Sequence, residues 1–338
     1  MKNSITFEQI LQDLQRKIYK PIYLLHGEES YYIDEITNYI SQNVLAESEK
    51  AFNQTILYGK DSNVRNIDNI ARRFPMAANH QVVIVKEAQT IRDIDKLGFY
   101  AENPLKSTIL VINYKYKKYD ARTKFANTVK KNGVFFESQK IKDYLMPGWI
   151  STYLSKKNLK IRPETSQLLT EYLGNDLGKV INEIDKLIIT LPEGVNEISP
   201  GHIEKNIGIS KDYNNFELQK ALGEKNNLKV YRIVNYFSQN PKNFSLNYTM
   251  ISLFTYFKKI FLYNFVADKS AKNVASVLKL GNPYFVREYE AAARKYSKVK
   301  LVKIFSTLRQ YEMKLKGVDN LSPKHGELLR EMVFKILH

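Results

Sequence analysis

The fold is decided by one stretch near the start of the chain, Pro21-Ile22-Tyr23-Leu24-Leu25-His26-Gly27-Glu28-Glu29-Ser30-Tyr31-Tyr32-Ile33-Asp34. A short apolar run, residues 22–25, ends at Gly27. A helical pattern then begins, because Ile33, Ile36 and Ile40 recur at i, i+3 and i+7. An apolar run that enters a helix through a glycine turn is typical of a buried parallel strand and its crossover helix.

In nucleotide-binding folds this turn is a glycine-rich loop that holds phosphate at the helix N-terminus. Here the turn has one glycine, lacks the Gly-Lys-Ser/Thr motif, and carries the carboxylates of Glu28 and Glu29. Carboxylates repel phosphate, and no lysine stands beside them to offset that repulsion. The scaffold therefore suggests a nucleotide fold whose phosphate site is degenerate.

The amino-acid composition limits which class of protein this chain can be. The 338 residues suffice for two or three domains, and 43% of them are hydrophobic, which suits a packed core. The absence of cysteine excludes disulfides and thiolate sites and fits a reducing cytosol. Residues 1–8 lack an apolar signal core, and no apolar run is long enough to span a bilayer. We therefore expect a cytoplasmic protein.

The charge is strongly positive and unevenly distributed. Net charge is +17 with a pI near 9.5, which points to a polyanionic partner. Residues 211–338 hold 23 of the 52 basic residues and 10 of the 35 acidic ones, and so carry +13 of the total. A basic C-terminal third is expected where one domain faces nucleic acid or an acidic protein. A genome rich in lysine and asparagine codons would also raise the total charge.

Further strands and helices alternate through the first 140 residues. Short apolar runs predict strands at residues 55–58, 81–85, 108–112 and 134–136, with the fourth strand ending at a turn residue, Asn113. Val64, Ile67, Ala71 and Phe74 form the stripe of a helix that ends at Pro75. Another helix is predicted for residues 121–131. This alternation predicts a parallel α/β domain.

Beyond Phe136 the pattern is entirely helical, with no convincing strand. Pro147 and Pro163 mark helix starts, and Gly174 follows a helix end. We interpret residues 145–210 as a small helical domain and the polar residues 210–215 as a linker. The aromatic stripe Phe254, Phe257, Ile260, Phe261 and Phe265 predicts a helix-bundle core.

The sequence predicts no catalytic, cofactor-binding or metal site. The five histidines show no i, i+3 or i, i+4 pairing typical of metal ligands. Two basic clusters contain aromatic residues that could stack on bases while lysines contact phosphates. The possible DNA-binding residues in them are Lys115, Lys117 and Lys118, and Arg294, Lys295 and Lys298. Either cluster could instead be a solvated face.

Several segments resemble the delta subunit of the bacterial DNA polymerase III clamp loader. The resemblance covers the whole chain and its domain order, and residues 173–177 are its most specific part. The segments are the strand ending at Gly27-Glu28-Glu29, Phe74-Pro75-Met76 before residues 81–86, Leu173-Gly174-Asn175-Asp176-Leu177-Gly178 before residues 182–187, Asn282-Pro283-Tyr284, and residues 308–316 before Gly317.

The resemblance implies a fold class of α/β plus all-α in three domains. Residues 1–143 would be an ATPase-like (AAA+-type) parallel-sheet domain without ATPase activity, residues 144–210 a small helical lid, and residues 211–338 a helical collar. The family binds the ring-shaped sliding clamp (beta) and opens one interface. Its collar binds the other loader subunits, of the ATP-driven gamma/tau and delta-prime type. Primer-template DNA binds within that complex.

The resemblance also implies a clamp-binding site at Phe74, Pro75 and Met76. The family usually places a large apolar residue directly after the methionine position, whereas this chain has Ala77, which makes the apolar wedge smaller. We therefore expect a non-catalytic clamp-opening subunit without a cofactor.

Two alternatives remain open. The chain could be an active nucleotide hydrolase with a divergent phosphate site, against which the missing phosphate lysine weighs. It could also be a stand-alone nucleic-acid-binding protein, against which the nearly neutral front part weighs.

Overall fold

The computed structural model describes residues 5–208, 210–318 and 324–338. These residues fall into two compact units. The first contains the chain up to Ile141 together with Asp176–Gly178, and the second contains Lys142–Asn175 and the chain from Lys179 onward. No helix in the described ranges is long and apolar enough to cross a membrane.

The first unit is built on a parallel five-stranded sheet. Its strands are β1 (Ile22–Gly27), β2 (Gln54–Tyr58), β3 (Gln81–Lys86), β4 (Thr108–Lys115) and β5 (Val134–Ser138). Their order in the sheet is β2-β3-β4-β1-β5, and every neighbouring pair is parallel. The central strands are continuous apolar runs because both faces of the sheet are covered.

Helices cover both faces of this sheet. They are α1 (Phe7–Gln15), α2 (Ser30–Asn43), α3 (Glu47–Asn53), α4 (Val64–Ala71), α5 (Gly98–Glu102) and α6 (Lys124–Asn132). The side chains of successive residues in β1 point to opposite faces of the sheet, as in any pleated strand, and so pack in two different apolar cores. Ile22 and Leu24 pack in the core of α4, α5 and α6, and Tyr23 and Leu25 pack in that of α1 and α2.

Several element boundaries differ from the sequence prediction. Helix α4 ends at Ala71 and does not reach Phe74, and α6 begins at Lys124 rather than residue 121. Strand β4 continues to Lys115. Asn113 is therefore a buried strand residue whose side-chain oxygen accepts a hydrogen bond from the Thr37 hydroxyl at 3.0 Å, and the prediction of a turn there was wrong.

The second unit is almost entirely helical. Its helices are α7 (Met146–Ser155), α8 (Pro163–Leu173), α9 (Leu177–Ile189, which begins in the first unit), α10 (Pro200–Ile207), α11 (Asn215–Glu224), α12 (Asn227–Gln239), α13 (Leu246–Tyr263), α14 (Ala271–Val277), α15 (Val286–Lys295), α16 (Lys298–Leu315) and α17 (His325–Leu337). Pro147 and Pro163 occupy first turns, and Gly174 ends α8 with a φ of +75°, as predicted. The predicted absence of strands was wrong, because β6 (Lys160–Ile161) and β7 (Glu197–Ile198) form a short parallel pair.

Helices α11 to α17 enclose one apolar core. Phe257 and Ile260 of α13 are fully buried in it. The prediction that the whole aromatic stripe is core was wrong for Phe254 and Phe265, which are 45% and 59% exposed. A parallel α/β front followed by helices is nevertheless the predicted fold class, and it is confirmed. The division at residue 210 stays a prediction.

Candidate functional site

The turn after β1 is closed around a glycine. Gly27 has a φ of +136°, and a Cβ at this position would lie 2.0 Å from the carbonyl oxygen of Ser138. Only glycine fits such a close backbone approach at positive φ. The turn is therefore pressed against the end of β5.

Backbone N–H groups of this turn already have partners within the chain. The Gly27 N–H donates to the Lys117 carbonyl at 3.2 Å, and the Glu29 N–H donates to the Ser138 carbonyl at 3.2 Å. The Tyr31 N–H, at the start of α2, donates to the Glu29 carboxylate at 3.0 Å. A phosphate at a helix N-terminus needs donors of this kind. Glu29 thus occupies the position in which a phosphate would bind α2.

The Glu29 carboxylate is nearly completely buried. Burial raises its pKa, and the Tyr31 N–H partly offsets that rise by stabilising the ionised form. The carboxylate also accepts a hydrogen bond from the Leu177 N–H, so it satisfies the first turns of both α2 and α9.

The predicted basic residues of the first unit lie beside this turn. Lys115 is half-buried and forms an ion pair with Asp34, Lys118 forms one with Glu137 at 2.7 Å, and the ammonium of Lys117 lies 5.2 Å from the centre of the Tyr114 ring. The three side chains therefore lie near one another but have local partners.

A buried histidine anchors this basic segment. The Tyr119 N–H donates to Nδ1 of His26 at 3.1 Å. Burial lowers the pKa of His26 to about 4, so the ring is neutral near pH 7 and its Nδ1 can accept this bond. The segment is thereby held across the end of β1.

The second predicted basic cluster lies at the junction of α15 and α16. Arg294 forms an ion pair with Glu290 at 2.6 Å, and Lys295 donates to the Glu224 carbonyl at 2.9 Å. The ammonium of Lys298 lies 4.6 Å from the centre of the Phe265 ring. All three side chains are exposed at the surface of the second unit. DNA binding by either cluster stays a prediction.

Phe74, Pro75 and Met76 lie in the loop between α4 and β3. Helix α4 ends before them, and its last carbonyls accept hydrogen bonds from side chains of β3 and β4. The Ile70 carbonyl accepts from the Gln81 side chain at 2.9 Å, and the Ala71 carbonyl accepts from the Thr108 hydroxyl at 2.8 Å. The proline also disfavours helical backbone at the residue before it. The loop therefore leaves the helix three residues earlier than predicted.

Both large apolar side chains of this loop face solvent. Phe74 is 77% exposed and Met76 is 64% exposed, whereas Pro75 is half-buried. Two adjacent large apolar groups at this exposure are unfavourable in water unless a partner covers them. The structure therefore places the sequence-predicted clamp-binding residues together at the surface.

The loop is held by a residue that sequence reasoning missed. Asn53, the last residue of α3, is buried, and its side-chain amide bonds to both backbone groups of Met76. The Met76 N–H donates to Oδ1 at 2.7 Å, and Nδ2 donates to the Met76 carbonyl at 3.0 Å. No periodicity marks residue 53, since the contact joins positions 23 apart in sequence.

Comparisons with known proteins bear on the family resemblance and on the fold. A family model described as DNA polymerase III, delta subunit, matches residues 23–139. DNA polymerase III subunit delta of Bacillus subtilis (strain 168) is 23% identical over 320 residues, which cover 90% of this chain and 91% of that protein. The structure of the Bacillus subtilis DNA clamp loader delta protein (YqeN) has 20% sequence identity and a TM-score of 0.52, and the match covers 98% of this chain and 99% of that one.

The predicted fold class, a parallel α/β front followed by helices, agrees with the fold of that Bacillus protein. The resemblance inferred from the sequence is confirmed as well, because this chain is similar to DNA polymerase III delta subunits, through the family model in its front part and through the Bacillus protein along nearly its whole length.

Proposed function

We propose that this chain is a non-catalytic delta subunit of a DNA polymerase III clamp loader. In this role it binds the ring-shaped sliding clamp and opens one interface, so that the ring can be placed on primed DNA in the cytoplasm. The observation that carries the proposal is the exposure of Phe74 and Met76 on a loop that the chain itself holds in place. Similarity to delta subunits supports the same assignment.

The loop has the physical properties of a binding anchor. An aromatic ring and a flexible thioether side by side suit an apolar pocket on a partner. Pro75 restricts the backbone, and Asn53 fixes the peptide of Met76. A loop that is ordered before binding loses less conformational entropy on association.

The closed turn at Gly27 supports a role without ATP hydrolysis. Backbone N–H groups that would receive a phosphate donate to protein oxygens, and Glu29 adds a carboxylate at the same place. These contacts disfavour the alternative of an active nucleotide hydrolase.

The helices after residue 211 offer a surface for the gamma/tau and delta-prime type subunits. Large apolar side chains on α13 and α16 are exposed, among them Ile251, Phe254 and Val302. An exposed apolar surface of this kind typically marks a protein interface. We therefore propose that residues 211–338 are the collar of the loader, with residues 144–210 as its lid.

Replacing Phe74 and Met76 together tests the proposed function. Fully burying each side chain in the clamp contributes about 1.5–3 kcal/mol, so the variant F74A/M76A should bind the clamp about 10² to 10⁴-fold more weakly. Surface plasmon resonance on immobilised sliding clamp from the same organism measures the affinity. The melting temperature should change little because both side chains are exposed.

The control variant I18A/F99A removes two other exposed apolar side chains from the first unit. Its clamp affinity should equal that of the wild-type chain. Unchanged clamp affinity in a well-folded F74A/M76A variant would refute the proposed site, whereas a wild-type chain that binds no clamp would refute the function.

A further inference from the structure

A third large exposed apolar side chain belongs to the residue directly before Asn53, which holds the loop of Phe74 and Met76. Phe52 is in the last turn of α3 and is 72% exposed. It directly precedes Asn53, the residue that bonds to both backbone groups of Met76. Neither the sequence pattern nor the family resemblance singled it out.

Asn53 limits the distance between Phe52 and Met76. Neighbouring Cα atoms are about 3.8 Å apart, so the backbones of Phe52 and Asn53 are adjacent. The Asn53 amide reaches the Met76 peptide through hydrogen bonds of 2.7 and 3.0 Å. One buried asparagine side chain therefore separates the backbone that carries Phe52 from the backbone that carries Met76.

Hydrogen bonds within and next to α3 fix the backbone that carries Phe52. The Glu49 side chain accepts the Ala46 N–H at 2.8 Å at the start of the helix, and the Asn53 amide also donates to the Glu49 carbonyl at 3.1 Å. Asn53 is buried while its neighbour Phe52 is exposed, so the two side chains leave the helix in different directions.

The residue after Met76 cannot supply a third apolar group of this size. Ala77 has only a methyl group, and its φ of +52° would strain a bulkier side chain. Phe52 carries a full aromatic ring on helical backbone, one residue before the asparagine that bonds to Met76.

We propose that Phe52 is a third apolar contact to the sliding clamp, in addition to Phe74 and Met76. This inference rests on the proposed function, because it assigns Phe52 to the same partner. The observation that ties Phe52 to this partner is its connection, through Asn53, to the peptide of Met76.

The experiment compares F52A with F99A in the full-length chain. Phe99 is the matched control because it is also an exposed phenylalanine of the first unit, with the same exposed fraction of 72%. On immobilised sliding clamp, F52A should bind about 10- to 100-fold more weakly than the wild-type chain, and F99A should bind equally well. Both variants should melt at the wild-type temperature.

The outcomes separate this inference from the proposed function. Wild-type affinity for F52A, while F74A/M76A binds weakly, overturns the role of Phe52 and leaves the function intact. Equally weakened binding by F52A and F99A also overturns it, since the effect would not be specific to position 52. A wild-type chain that binds no clamp overturns both.

Sedimentation velocity of the same variants tests another occupant of this surface. Self-association of the wild-type chain that F52A abolishes, with clamp affinity unchanged, would assign Phe52 to a contact between copies and overturn the proposal. A monomeric chain whose clamp binding depends on Phe52 supports it.

Discussion

Asn53 is the residue on which the geometry of the candidate site depends. Replacing it with alanine leaves the N–H and carbonyl of Met76 without their side-chain partner. Losing these two partly buried hydrogen bonds together costs about 1–3 kcal/mol. We expect N53A to lower the free energy of unfolding by this amount and to weaken clamp binding, because Met76 is no longer held. Chemical denaturation and surface plasmon resonance measure the two effects.

Asn43 provides the matched control for this substitution. Its side chain also donates to a backbone carbonyl, that of Tyr39 at 2.9 Å, but Asn43 is exposed. N43A should therefore change neither stability nor clamp affinity by more than a few tenths of a kcal/mol. An N53A variant as stable as N43A would contradict the role assigned to Asn53.

At the scale of elements, the N-terminus of α2 decides whether the first unit can bind ATP. Its Tyr31 N–H is bonded to Glu29, and the neighbouring N–H groups of Gly27 and Glu29 donate to backbone carbonyls. We expect isothermal titration of the wild-type chain with Mg-ATP to give no binding in the micromolar range. Micromolar binding would favour the nucleotide hydrolase alternative instead.

The junction of α8 and α11 makes the stability of the second unit depend on pH. The carboxylate of Glu171, on α8, accepts the Phe216 N–H in the first turn of α11 at 3.2 Å. Burial raises the pKa of Glu171 to about 8, while the Phe216 N–H lowers it and the nearby Glu217 and Glu288 raise it further.

The direction of the pH effect follows from these pKa values. An unfolded glutamate has a pKa of about 4.3, so between roughly pH 5 and 8 the folded chain holds a proton that the unfolded chain has released. Raising the pH through this range therefore lowers stability. Glutamine can still accept the Phe216 N–H but cannot ionise, so the melting temperature of E171Q should fall less steeply than that of the wild-type chain between pH 5 and 8. Parallel melting curves would contradict this assignment.

At the scale of the whole molecule, the charge distribution predicts where DNA binds. Residues 211–338 carry +13 of the net +17, so isolated DNA binding should be weak, dependent on salt and located in this part of the chain. The variant R294A/K295A/K298A should bind duplex DNA more weakly, and the slope of log K against log salt should decrease by about 0.9 for each phosphate that the variant no longer neutralises. Fluorescence anisotropy at several salt concentrations measures both quantities.

A charge-matched control separates location from total charge. K60A/K96A/K106A also removes three exposed positive charges, but from the first unit. It should change the affinity and the salt slope little. Equally weakened binding by the two triple variants would indicate a nonspecific effect of net charge. If the wild-type chain binds no DNA, the positive charge of residues 211–338 would instead serve an acidic protein partner.

The amino-acid sequence by itself determined the class of fold. Continuous apolar runs predicted the strands of a parallel sheet, and prolines and glycines marked helix ends, because these signals act between residues close in sequence. The turn at Gly27 was visible for the same reason, since its glycine and two carboxylates are consecutive. Phe74, Pro75 and Met76 could be singled out by resemblance alone.

Only the tertiary structure decided how that site is built and exposed. The Ala71 carbonyl at the end of α4 accepts the hydroxyl of Thr108, 37 positions later in the chain, and Asn53 holds Met76 across 23 positions. The exposure of Phe254 likewise depends on which helices pack against α13, and not on its position in the apolar stripe. Local sequence patterns reflect the period of a helix or strand, whereas burial and side-chain-to-backbone hydrogen bonds depend on partners that only folding brings together.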